Sequence, residues 1–109
     1  MNILESSIFD NICWHHATSH GGAIVNARDS NANITNSLIF NNTAGYDGGA
    51  LFNGGSVFLR NTSVFNNCAF HTGAAVTNTD AGAFSMLGGS VHNNLAYFKI
   101  YDNPCTAIF

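Results

Sequence analysis

Charge is the scarcest ingredient of this 109-residue chain: 3 Lys+Arg and 6 Asp+Glu make 8% of the sequence, against about a quarter in an ordinary globular domain. No basic patch exists to neutralise phosphates, which excludes nucleic-acid binding by electrostatics. Long exposed helices also lose their support, because the ion pairs that lace them are missing. No apolar run approaches the roughly 20 residues of a membrane helix, so membrane insertion is not expected. The opening Met1-Asn2-Ile3-Leu4-Glu5 lacks the basic start and apolar stretch of a signal peptide. Proline occurs once, at Pro104.

Cysteine is limited to Cys13, Cys68 and Cys105, an odd number at unequal repeat positions. Cys13 and Cys68 fall two repeats apart, farther than the roughly 7 Å that a bridge spans. The expectation is buried free thiols acting as small hydrophobes, not a disulfide framework.

What is present is 46% hydrophobic residues, 16 asparagines and 11 glycines. That is enough apolar matter for a core, with a surface that is polar but neutral. The asparagines are not scattered. A phrase returns at Phe9-Asp10-Asn11, Phe40-Asn41-Asn42, Phe65-Asn66-Asn67 and His92-Asn93-Asn94, at spacings of 31, 25 and 27. A second is interleaved with it: Gly21-Gly22-Ala23-Ile24, Gly48-Gly49-Ala50-Leu51, Gly73-Ala74-Ala75-Val76 and the degenerate Cys105-Thr106-Ala107-Ile108. Aligning on these two phrases brings further columns into line. Ile3, Ile34, Leu59 and Met86 form one; Ile8, Ile39, Val64 and Val91 form another; Cys13, Ala44, Ala69 and Ala96 form a small-residue column.

Helical repeats need long stretches of 3.6-residue period. These units instead hold short β-prone runs broken by Asn, Gly, Asp and Ser. The sequence therefore predicts an all-β fold, a right-handed parallel β-helix of about four coils with three short strands per coil. The repeats run approximately over 3–32, 33–57, 58–82 and 83–109. Like residues would stack about 4.8 Å apart along the axis. Two asparagine columns, Asn11/Asn42/Asn67/Asn94 and Asn26/Asn53/Asn78, are expected to form amide ladders. The same residues are expected to take the left-handed backbone of sharp corners.

The coils differ in one loop. Between the small column and the Gly-Gly phrase lie three residues in the middle coils, but seven in the first (Trp14 to His20) and eight in the last (Tyr97 to Pro104). Longer loops leaving one corner place a binding surface there. The candidate binding residues are Trp14, His15, His16, His20, Tyr46, His71, Tyr97 and Tyr101. Three histidines in six residues suggest a metal, but no carboxylate or cysteine stands at ligand spacing except Cys13, in an interior column. No metal or other cofactor is expected. Asp47, before Gly48-Gly49, reads as a turn residue. The acidic and basic residues fall in different columns, and no nucleophile motif appears, so the chain is not expected to be an enzyme.

Phe40-Asn41-Asn42-Thr43-Ala44 followed by Gly48-Gly49-Ala50-Leu51 resembles the repeats of the chlamydial polymorphic outer membrane proteins (Pmp). Those repeats are defined by Gly-Gly-Ala-Ile and Phe-x-x-Asn tetrapeptides; here Ile8, Ile39, Val64 and Val91 stand where the family has Phe, which follows one residue later. The resemblance covers nearly the whole chain. It implies a β-helical passenger displayed at the cell surface or outside the cell, as part of a larger protein, and used in adhesion. Glycans or a cell-surface receptor would then be partners.

The ends show neither a capping helix nor a polar terminal coil, so neighbouring coils of the same protein or another chain are expected there. The leading expectation is a non-catalytic structural or adhesive β-helix presenting a neutral Asn/Ser/Thr-rich face. Two alternatives compete: an assembly module of a filament, appendage or virion fibre stacking end to end, and a fragment of a carbohydrate-active β-helix with its catalytic coils elsewhere.

Overall fold

In the strand Asn31–Thr35, Ala32 and Ile34 are buried while Asn31 and Asn33 face solvent. This is the two-residue period of a half-buried strand. It recurs along the chain and builds the fold described by the computed structural model, which covers residues 1–14 and 19–96. The strands are β1 (Asn2–Leu4), β2 (Ser7–Phe9), β3 (Ile12–Cys13), β4 (Ile24–Asn26), β5 (Asn31–Thr35), β6 (Leu38–Phe40) and β7 (Thr43–Ala44). They continue with β8 (Leu51–Asn53), β9 (Ser56–Phe65), β10 (Cys68–Ala69), β11 (Val76–Asn78), β12 (Ala83–His92) and β13 (Leu95–Ala96). No helix occurs among the described residues.

Every strand pairs in parallel with its counterparts one turn away, giving three sheets: β1-β5-β9-β6-β2 with β12 on β9, β13-β10-β7-β3, and β11-β8-β4. The architecture is a parallel β-solenoid of about three turns. The pairing reproduces the sequence columns residue for residue. Ile3 pairs Ile34, and Ile34 pairs Leu59, which pairs Met86; Ile8 pairs Ile39, Ile39 pairs Val64, and Val64 pairs Val91. Ile34, Ile39, Leu51, Leu59 and Val64 are the sealed centre of the core. Each such side chain contributes about 1.5–3 kcal/mol on burial.

The expected three strands per turn occur in the turn beginning at Ser56, with β9, β10 and β11, but not in the turn before it. The turn beginning at Asn31 has four strands, because Asn36 interrupts the first sheet between β5 and β6. One turn later β9 runs through the same point without a break. Glu5, Asn36, Asn61 and Gly88 all have positive φ here, and each adds one residue that re-phases the strand. Hence Leu59 faces inward, Arg60 and Asn61 outward, and Thr62 and Val64 inward again.

The corners divide labour in a way the sequence reading did not. The left-handed residues are Asp10, Asn41, Asn66 and Asn93, while the ladder asparagines Asn11, Asn42, Asn67 and Asn94 stand one place later. The first residue of each pair turns the chain; the second points inward. Asn42 and Asn67 are fully buried, and each uses its whole amide. Asn11 donates its side-chain N–H to Asn42 Oδ1 at 3.0 Å, Asn42 to Asn67 at 3.0 Å, and Asn67 to Asn94 at 2.9 Å. The second amide hydrogens of Asn42, Asn67 and Asn94 go to the carbonyls of Ile8, Ile39 and Val64. The other column behaves alike: Asn26 donates to Asn53 Oδ1 at 2.9 Å, and Asn53 to Asn78 Oδ1 at 2.7 Å.

A third ladder, of hydroxyls, was not foreseen. The Ser6 N–H donates to Ser37 Oγ, and the Ser37 N–H to Thr62 Oγ1. In all three ladders the earlier turn donates and the later turn accepts.

The expectation of three free thiols needs correction. Cys13 is free, but buried Cys68 is disulfide-bonded. Two turns of stacking separate Cys13 from Cys68 but do not keep Cys68 from another partner. Cys105 lies outside the described residues.

Candidate binding surface

The Gly-Gly corner gathers most of the expected binding residues that are described. Residues preceding the first glycine stack like the rest of the solenoid: His20, Asp47 and Thr72 form one column, and Ser19, Tyr46 and His71 the next. Backbone bonds hold them in register, with Gly21 N–H on Asp47 O, Gly48 N–H on Thr72 O, and His71 N–H on Tyr46 O. Asp47 is the hub. Its Oδ1 lies 2.7 Å from His71 Nδ1 and accepts the Thr72 N–H at 3.0 Å and the Thr72 hydroxyl at 2.7 Å. An ionised carboxylate only accepts, so the hydrogen between Asp47 and His71 sits on the imidazole. Burial alone would push the Asp47 carboxyl up; hydrogen bonds from the Thr72 side chain, His71 and the Thr72 N–H outweigh it and hold the group below the usual range.

Rings close over this hub. Tyr46 stacks on His71 at 4.2 Å and meets His20 edge-on at 5.5 Å, while His20 tilts over Phe52 at 4.4 Å. Trp14, exposed, stands edge-on to buried Phe70 at 4.8 Å. His20 Nδ1 is 3.8 Å from Asp47 Oδ2, an ion-pair distance too long for a hydrogen bond. Of the expected binding residues, His20, Tyr46 and His71 thus meet in one cluster, with Trp14 on Phe70. His15, His16, Tyr97 and Tyr101 lie outside the described residues. Asp47, Phe52, Phe70 and Thr72 were missed as members. Extending the column alignment to the two residues before each Gly-Gly phrase places Asp47 between His20 and Thr72. Among the described residues no group of three His, Cys, Asp or Glu side chains is arranged to hold a metal ion.

A second surface is the outward face of the first sheet. Phe9, Phe40, Phe65 and His92 stack there at 5.0, 5.0 and 5.2 Å, with planes within 8°. Because the rings lie face to face along the axis, the inner rings offer a ligand only their edges. Phe58 differs. Its column neighbours are Asn33 and Ser85, too small and polar to stack on it. The Arg60 guanidinium lies over its ring at 5.3 Å. A shallow open groove runs beside it, lined by Asn31, Asn33, Ser56, Phe58, Ala83 and Ser85.

No protein-family model, curated protein or solved structure matches this chain.

Proposed function

We propose that the chain is a right-handed parallel β-helix of about four coils serving as a non-catalytic structural and adhesive element of a surface or extracellular protein, its neutral Asn/Ser/Thr-rich sheet face being the binding surface. The observation that carries this reading is the split between two asparagine populations. Asn42, Asn53 and Asn67 are buried and saturated by one another and by backbone groups, so they are scaffold. Asn31, Ser56 and Ser85 stand outside with no side-chain partner among the described residues, and supply uncommitted donors and acceptors on a flat face. The Pmp-like phrases support surface display. The test is binding of purified, labelled chain to glycan arrays and cultured cells: saturable attachment is expected, and its absence on every surface tried would sink the reading.

Assembly through the coil edge is favoured by a separate observation. All three ladders share one polarity, and the Asn11 ladder ends at the β1–β3 edge on an acceptor, since no donor among the described residues reaches Asn11 Oδ1. A further coil presenting an asparagine there would repeat the internal rung. Concentration-dependent association in sedimentation velocity, abolished by Asn11→Leu, is the outcome expected of that arrangement.

A further inference from the structure

We infer that the groove beside Phe58 is a binding site for a neutral oligosaccharide, a deepening that rests on the adhesive reading above. A sugar ring presents an apolar face of C–H groups and a rim of hydroxyls, so its site needs one available aromatic face with neutral donors and acceptors around it. Phe58 is the candidate ring, half-exposed, with one face taken by Arg60 and the other assigned here to the sugar. Phe40 and Phe65 have both faces covered by rings of adjacent turns, whereas Phe58 has Asn33 and Ser85 as its column neighbours. Arg60 lies over the ring at 5.3 Å, fixing its attitude.

The rim meets the second condition. Asn31, Asn33, Ser56 and Ser85 are exposed around the groove, and their only side-chain bond among the described residues is that from Asn33 to Asn2 Oδ1, at 3.2 Å. No carboxylate lines the groove, and the cations near it among the described residues are Arg60 over Phe58 and the Met1 ammonium on the Asn31 carbonyl. Nucleic acid needs several cations along its track, and an apolar peptide needs a greasy pocket. The polar-rimmed groove has neither. Its polar residues sit at successive rungs of β5, β9 and β12, so the ligand is a chain running along the solenoid axis and not a single sugar.

The experiment is amide NMR of the full chain titrated with uncharged tetra- to hexasaccharides of glucose, mannose and N-acetylglucosamine. Shifts concentrated at Asn31, Asn33, Ser56, Phe58 and Ser85 are expected with at least one of them. Phe58→Ala should weaken that binding roughly tenfold or more, with its circular dichroism unchanged. Asn33→Ala, at an exposed position that leaves the core intact, should weaken it severalfold. Saccharide binding mapped to the Gly-Gly corner, or untouched by both variants, overturns the site while leaving adhesion standing. So does attachment to cells with no saccharide bound. Failure to bind cells or glycans of any kind removes both.

Discussion

Asn42 donates its backbone N–H and its side-chain N–H to a single atom, Asn67 Oδ1, each at 3.0 Å. One acceptor thus fixes the peptide plane and the side chain of the next turn's counterpart together, and a rung cannot shift without dragging the main chain. The same double grip joins Asn11 to Asn42 and Asn67 to Asn94. Chains of like-oriented amides polarise one another, so the ladder strengthens with each turn. It sets the coil register and lets a weakly charged sequence hold a unique fold.

Asn67→Ala should therefore be among the most damaging substitutions in the chain. It strands the Asn42 N–H and one Asn42 side-chain N–H without their acceptor, takes a donor from the Ile39 carbonyl, and leaves Asn94 Oδ1 with only the Asn67 backbone N–H. At about 1–3 kcal/mol per unsatisfied buried group, partly relieved by relaxation, the loss is about 3–5 kcal/mol. Urea unfolding measures it. Asn31→Ala, on the surface, should change stability by less than about 0.5 kcal/mol, and equal effects from the two would refute the ladder's importance.

Asn66 does a different job and should respond differently. Its φ of 54° is the left-handed region, comfortable for Gly, tolerable for Asn and strained for a β-branched residue. Asn66→Gly should leave the melting temperature nearly unchanged, while Asn66→Val should cost about 1–2 kcal/mol. Thermal melts of both decide it. A harmless Val would mean that the corner relaxes out of the left-handed conformation.

Much of this was legible because a solenoid writes its contacts as sequence columns. The Ile3, Ile8 and Phe9 columns pair as alignment indicates, since each residue's nearest neighbours are its own counterparts. Two kinds of information were not. The split between turning Asn41 and inward Asn42 depends on backbone dihedrals that residue type alone does not fix, as asparagine suits both tasks. Asp47 read as a turn residue because its partners, His71 and Thr72, lie 24 and 25 positions away. Only the column before Gly48 carries that signal, and it mixes three residue types.

Gly49 tests the second position of the Gly-Gly phrase. A Cβ there would collide with the Ala74 carbonyl oxygen and stand 2.6 Å from that of Cys68, both main-chain atoms of the next turn. The backbone would have to move, so Gly49→Ala should destabilise by about 2–3 kcal/mol or more. Ala74→Gly, the reverse change one turn on, should cost no more than about 1 kcal/mol. Chemical denaturation of the two variants separates steric exclusion from mere preference for a small residue.

The Asp47 hub predicts a particular acid response. Hydrogen bonds from Thr72 and His71 hold its carboxyl below the ordinary aspartate value, which is about 3.9 in unfolded chains. A depressed folded value means that the stabilisation is fully present above that ordinary value and disappears as pH falls through the folded one. As pH falls below the ordinary aspartate value, the native protein should lose stability more steeply than Asp47→Asn. That variant keeps an Oδ1 acceptor for the Thr72 N–H, the Thr72 hydroxyl and the His71 imidazole, but has nothing to titrate. At neutral pH the two should melt within a few degrees of each other. Carbon-13 NMR of the Asp47 carboxyl gives the direct check: a midpoint at or above the ordinary aspartate value would show that burial, not the Thr72 and His71 hydrogen bonds, governs the site.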